Sequence, residues 1–283
     1  LDRDTVIAAF GDPDGRVRAA ALRLCEPWLG SRSLKLVLPH VLRLADDTHP
    51  QVRLQLALTA GSVQTPETDD LLVRLLSNPA SGVPVRDAVI GGLQGRELEF
   101  LARCLETESF STGTDWNRAI VSTLARCVLA EGNPRRVSRL LELAVEQDDR
   151  LDQHWRPRAI IAGMAPGEGR KSVVRRKGIL LPEEPSALAR LRRIGDEAFQ
   201  KRLAALLEVI HWPGQPGYTP PTPPRPLSTE EARQFDAGKA IFAATCAQCH
   251  KLDGMGQPGL APPLVDSEWV LGAPERLGRI VLD

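Results

Sequence analysis

Asp12-Pro13-Asp14-Gly15-Arg16-Val17-Arg18-Ala19-Ala20-Ala21-Leu22 sets the pattern for most of this chain. A turn of Asp, Pro and Gly runs straight into residues that favour helix, with apolar side chains at helical spacing. The Val-Arg pair returns 35 residues on, in Gln51-Val52-Arg53-Leu54-Gln55-Leu56-Ala57, and a further 33 on, in Pro84-Val85-Arg86-Asp87-Ala88-Val89-Ile90. Fainter copies stand at Arg118-Ala119-Ile120-Val121 and Arg158-Ala159-Ile160-Ile161. Turn residues also precede the second and third copies, at Asp46-Asp47-Thr48-His49-Pro50 and Pro79-Ala80-Ser81-Gly82. A period in the thirties of this kind marks stacked helix pairs. One pair cannot bury its apolar stripe alone, whereas neighbouring pairs bury it together. The expected fold class is therefore mainly α, an α-solenoid.

Over roughly residues 1–210 the pattern resembles HEAT repeats, most clearly in the Asp-Pro-x-x-x-Val-Arg phrase from Asp12 to Arg18. The Trp/Gly/Tyr phrase of TPR repeats and the Thr-Pro-Leu-His phrase of ankyrin repeats are missing. An irregular helical domain is the alternative.

Composition narrows the class further. Of 283 residues, 42% are hydrophobic but only 4% aromatic, which suits helices better than a β-sandwich. Lys plus Arg and Asp plus Glu each number 36, so net charge gives no pull toward nucleic acid or an anionic membrane. No apolar run reaches the length of a membrane span. Leu1-Asp2-Arg3-Asp4 is not a signal peptide, and the chain stops in an uncapped apolar pattern, Arg279-Ile280-Val281-Leu282-Asp283. Both ends are expected to be cuts in a longer protein. Cys25, Cys104 and Cys127 stand singly in apolar segments and are expected to be small buried hydrophobes.

Residues 170–202 are basic, with Arg170, Lys171, Arg175, Arg176 and Lys177 followed by Arg190, Arg192, Arg193, Lys201 and Arg202. A solvated face is the plain reading, and a docking surface for an acidic partner the functional one. No aromatic or Gly-rich pattern accompanies the charge, so nucleic acid is not an expected partner. From Pro213 to Pro226, seven of fourteen residues are Pro. Such a stretch favours extended polyproline II and makes a semi-rigid spacer. The expected division is a helical-repeat domain at 1–211, a Pro-rich linker at 212–227 and a second domain at 228–283.

The second domain carries the chemistry. Ser228-Thr229-Glu230-Glu231 has the form of a capping box and opens a helix. Behind that helix stands Cys246-Ala247-Gln248-Cys249-His250, the attachment signature of a c-type haem. Two thiols one helical turn apart can form thioethers with the two vinyl groups of one porphyrin, and the adjacent His then becomes the proximal iron ligand. A zinc site would need four ligands, and no second Cys or His pair lies nearby. A thioredoxin-like redox pair would need a strand before the motif.

With Gly238-Lys239-Ala240-Ile241-Phe242 before the motif, Gly254 and Gly256 after it, and then Ala261-Pro262-Pro263-Leu264, this part resembles the front half of a class I cytochrome c. The resemblance implies one covalent haem c held by Cys246, Cys249 and His250. It implies that Pro262, twelve residues past His250, offers its carbonyl to the ligand's far ring nitrogen, and that Leu264 packs against the porphyrin. It also implies that Gly238 and Phe242 face a C-terminal helix. The family's distal Met has no match here. Met255 stands five residues past His250, too near to reach the opposite face, and Met164 belongs with the repeats. The distal ligand is expected beyond the present end. His40, His49, His154 and His211 are expected to be solvated or capping.

Two functions follow as expectations. The leading one is electron transfer between a redox donor and acceptor, the haem riding on a helical-repeat scaffold. The order of parts resembles bacterial proteins that join a quinoprotein-dehydrogenase-like propeller, HEAT-type repeats and a terminal cytochrome c. The segment itself is not expected to be catalytic, and a periplasmic or exported location follows from the resemblance. The alternative is a protein-interaction scaffold whose haem site is secondary or non-functional.

Overall fold

The structure, a computed structural model, describes residues 2–146, 155–165, 178–219, 225–257, 260–265, 267 and 269–282. The chain forms two compact units, Leu1–Tyr218 and Thr219–Asp283.

The first unit is an α-solenoid of helix pairs. After a short lead helix α1 (Arg3–Ala9) come α2 (Gly15–Leu29) with α3 (Leu34–Leu42), α4 (Pro50–Gly61) with α5 (Pro66–Ser77), α6 (Gly82–Gly92) with α7 (Glu97–Glu106), and α8 (Asp115–Ala130) with α9 (Pro134–Val145). Then follow α10 (Trp155–Met164), α11 (Leu188–Leu191) and α12 (Glu197–Leu207). Helix starts obey the turn chemistry. Asp14 accepts from the Arg16 amide at the head of α2, Thr65 caps α5 and Asn133 caps α9. Pro50, Pro66 and Pro134 occupy first turns, where a missing N–H costs nothing.

First helices stack on first helices, α4 on α2, α6 on α4 and α10 on α8, while α3, α5, α7 and α9 line the other side. Leu22, Leu56, Leu72, Leu101, Ile120 and Leu140 are fully buried between the layers. Two glycine contacts set the closest approaches. Gly61 of α4 and Gly92 of α6 meet back to back, so that a methyl on either would lie 3.1–3.2 Å from the other's Cα. Gly163 of α10 lies against the backbone of α8 at Ser122. Trp116 of α8 reaches back to both α5 and α6. Its indole N–H donates to the Leu76 carbonyl at 2.7 Å, and the Arg86 guanidinium lies 5.8 Å from its ring centroid.

The recurrent Arg has one job in two copies. Arg18 donates to the carbonyl of Asp12 and Arg53 to that of Asp47, each six residues back and each at 2.7 Å, tying the helix to its own leading turn. Cys25, Cys104 and Met164 are buried and Cys127 is half-buried. Two strands of two residues, β1 (Ile179–Leu180) and β2 (Ile210–His211), pair in parallel. The unit continues to Tyr218 because Trp212 is buried and Tyr218 stacks on His211, ring centroids 4.3 Å apart.

Two histidines differ from expectation. His211 is half-buried in that stack rather than solvated. His49 makes no side-chain cap bond; its ring packs on Gly15 and its Nδ1 is buried without a hydrogen-bond partner. His154 and residues 170–177 lie outside the described residues, while within the basic stretch Arg190 donates to the Val145 carbonyl and Arg192 pairs with Glu184.

The second unit holds α13 (Thr229–Ile241), a π-turn at Phe242–Cys246, α14 (Ala247–His250) and α15 (Pro274–Leu282). Among its described residues only Gly254 and Gly256 are buried.

Candidate functional site

The site is built from the head of α13 forward. The Ser228 hydroxyl accepts from the Glu231 amide, and the Glu231 carboxylate accepts from the Ser228 amide at 2.8 Å, a closed capping box. Arg225 grips the same carboxylate with two nitrogens, at 2.7 and 2.5 Å. Arg225 and the Ser228 donors together lower the Glu231 carboxyl to about 2.

Helix α13 does not end at Ile241. It widens into the π-turn, where the Thr245 hydroxyl donates to the Ile241 carbonyl at 2.8 Å, and runs on as α14. Cys246 and Cys249 thus stand three apart on continuous helical backbone, on the same side of one turn, and both are exposed. His250 closes α14. Lys251, at φ 57°, breaks the helix and turns the chain back.

The loop after Lys251 closes on itself. The Gly256 amide donates to the His250 carbonyl at 2.9 Å, Gln257 and Ala261 exchange backbone hydrogen bonds at 2.9 and 3.0 Å, and the Leu264 amide donates to the Gly254 carbonyl at 2.8 Å. Gly254 and Gly256, at φ 71° and 72°, take the left-handed backbone that such a closure needs. The result carries the Pro262 carbonyl oxygen to 2.8 Å from Nδ1 of His250. A carbonyl can only accept, so Nδ1 carries the imidazole proton and Nε2 keeps its lone pair for a metal.

Cys246, Cys249, His250, Pro262 and Leu264 therefore meet in one short segment, with Leu264 half-buried where its amide bonds to Gly254. Met255 is on the same loop and 55% exposed. Beyond its own helix backbone and chain neighbours, no atom of the described residues comes within 4 Å of where a Gly238 Cβ would stand, and Phe242 is half-buried. No three His, Cys, Asp or Glu side chains converge as a metal cage among the described residues. The donor set is two thiols and one imidazole, and the same unit exposes large apolar side chains: Ile241, Leu252, Leu260, Val265 and Trp269 are all at least 45% exposed. Those features fit a large flat apolar cofactor that takes two sulfur bonds and one axial nitrogen. Sequence reasoning missed the double duty of Gly256 and the helix-breaking φ of Lys251. The Gly-x-Gly spacing was the only available signal for the first.

Two family models match parts of the chain. A family model of HEAT repeats matches residues 3–94, from α1 through α6. A model described as Cytochrome C oxidase, cbb3-type, subunit III matches residues 233–283, which include both thiols, His250 and the loop through Leu264. No curated protein and no solved structure matches the chain. HEAT repeats and a cytochrome c match thus stand in one chain, an arrangement that suggests haem-based electron transfer on a helical scaffold and implies redox partners. No helix among the described residues is long and apolar enough to cross a membrane.

Proposed function

We propose that this protein is an electron-transfer module bearing one haem c on residues 228–283, displayed by the helical unit that runs to Tyr218, with the Pro-rich stretch after it as spacer. The observation that carries the reading is the bond from His250 Nδ1 to the Pro262 carbonyl, 2.8 Å long, beside two exposed thiols one turn away. Cys246 and Cys249 would hold the porphyrin, each thiol adding its S–H across a vinyl C=C, so that nothing leaves and no oxidant is consumed. His250 would offer Nε2 as the iron ligand, and Leu264 would supply apolar contact to the porphyrin. When bound, the haem supplies a one-electron couple. The chain's own residues orient the imidazole, raise its basicity through Pro262 and keep apolar surface around the ring.

The same reading places the protein in the periplasm or outside the cell, because bacteria form such thioethers beyond the cytoplasm. It also gives the haem a place as the electron outlet of a quinoprotein-dehydrogenase-like partner, joined in one longer protein or docked. The resemblance in part order supports that context.

Co-expression with a cytochrome c maturation system is the test. A haem stain that survives denaturing electrophoresis is expected. An unstained band retaining two fast-reacting thiols overturns the proposal.

A further inference from the structure

We infer that Gly256 is a positioning residue for the His250 ligand, acting through the carbonyl of Pro262; this rests on the proposed haem site and deepens it. Two observations converge on this glycine. Its amide donates to the His250 carbonyl at 2.9 Å, pinning the loop to the residue that presents the imidazole. Its Cα faces the acceptor of the imidazole proton: a Cβ there would lie 2.4 Å from the Ala261 carbonyl oxygen and 2.7 Å from both the carbonyl carbon and oxygen of Pro262. All three are backbone atoms, and no side-chain rotation can clear them. A methyl group at 256 must push the 261–262 peptide segment away, and the Pro262 oxygen is the atom that His250 Nδ1 needs.

Gly254 separates this effect from backbone strain. Its φ of 71° matches the 72° of Gly256, so alanine pays the same left-handed penalty at either position. A Cβ at 254, however, meets only the Val265 Cγ2 methyl at 3.1 Å and the Val265 amide nitrogen at 3.9 Å. The two glycines share their φ and differ in what they crowd. Losing the carbonyl weakens the imidazole as a donor, which disfavours the oxidised iron more than the reduced and raises the potential.

The experiment compares Gly256→Ala with Gly254→Ala in the full chain. In the haem-loaded protein, G256A is expected to raise the midpoint potential and to lose the slowly exchanging Nδ1 proton of His250, while G254A keeps both near wild type. Equal potentials in the two variants overturn the inference. The haem-free chain gives an independent reading even if G256A does not mature. There the ¹⁵N shifts of His250 should report the Nδ1-protonated tautomer in wild type and G254A, and a mixture in G256A. An unchanged tautomer in G256A overturns the inference. Absence of haem from the wild type would instead strike at the haem site itself.

Discussion

A methyl group on Gly163 would stand 2.1 Å from the carbonyl oxygen of Ser122, so helices α10 and α8 touch backbone to backbone at that point. The carbonyl carbon and Cα of Ser122 would lie at 2.8 and 2.9 Å, which leaves only movement of a whole helix as relief. Gly163→Ala is expected to destabilise the repeat unit by about 2–3 kcal/mol, the range of an overpacked core, after the small gain in helix propensity is set against it. Gly61→Ala, with 3.2 Å to the Gly92 Cα, should cost less. Gly91→Ala, where nothing lies within 4 Å, should stabilise by about 0.5 kcal/mol. Urea unfolding midpoints of the three variants check the order, and a neutral G163A would contradict the close contact.

Asp47 holds the first two helix pairs together. Its carboxylate receives Arg18 at 2.6 and 2.9 Å from α2, and its carbonyl receives Arg53 from α4. The two charged side chains are only 17% and 7% exposed. Asp47→Ala should cost about 3 kcal/mol, the low end for a broken buried pair, because Arg18 keeps the carbonyls of Asp12 and Pro13 as partners. The Arg18 guanidinium holds the Asp47 carboxyl below its ordinary value, so this stabilisation is complete above the unfolded-state value of about 4. It is lost as pH falls through the lower folded-state value. The stability gap between wild type and Asp47→Asn should therefore be wide at neutral pH and narrow at acid pH in paired urea titrations.

The repeats were legible because their period is written in residue types that change at turns, and the haem motif because its ligands are adjacent in sequence. The Val-Arg phrase fixed the register, yet it did not fix burial. Val52 and Val85 are buried, whereas Val17 is 40% exposed, since α4 stands between two full-length helices and α2 has the short α1 on one side. What stayed hidden were contacts between distant backbones. Gly61 and Gly92 meet across 31 residues, and nothing in either local sequence marks the partner. Likewise Pro density marks where helix must stop, but Trp212 and Tyr218 still pack on the first unit inside that stretch.

The head of α13 should be acid-sensitive in a defined window. With Glu231 lowered to about 2 from 4.5, its contribution is whole above 4.5 and fades as pH falls toward 2. Protection of the Ser228 and Glu231 amides from exchange, relative to the intrinsic rate at each pH, should fall across that interval in wild type. Glu231→Gln keeps an acceptor for the Ser228 amide but loses the pair with Arg225, so its protection should start lower and stay flat with pH. A wild-type profile as flat as that of E231Q would show that the Arg225 pair does not form in solution.

The five cysteines divide by thiolate access, and that division is what lets the haem proposal be read from mass alone. Burial pushes the Cys25 thiol up to about 12, raises Cys104 as well, and leaves both without exposed surface. Cys127 is raised by the same cause and only half-buried. Because the thiolate is the nucleophile, alkylation of the haem-free folded chain near pH 8 should mark Cys246 and Cys249 first, Cys127 slowly, and Cys25 and Cys104 only after unfolding. Maturation with haem should remove both fast sites together, because each sulfur is then in a thioether. Cys249→Ala should leave one thioether where haem is attached and a fraction of chain without adduct that keeps Cys246 as its one fast thiol, seen as a weaker stain. If Cys246 and Cys249 stayed fast after maturation while the protein turned red, the haem would be held by His250 and apolar contact alone, and the two sulfurs would need another purpose.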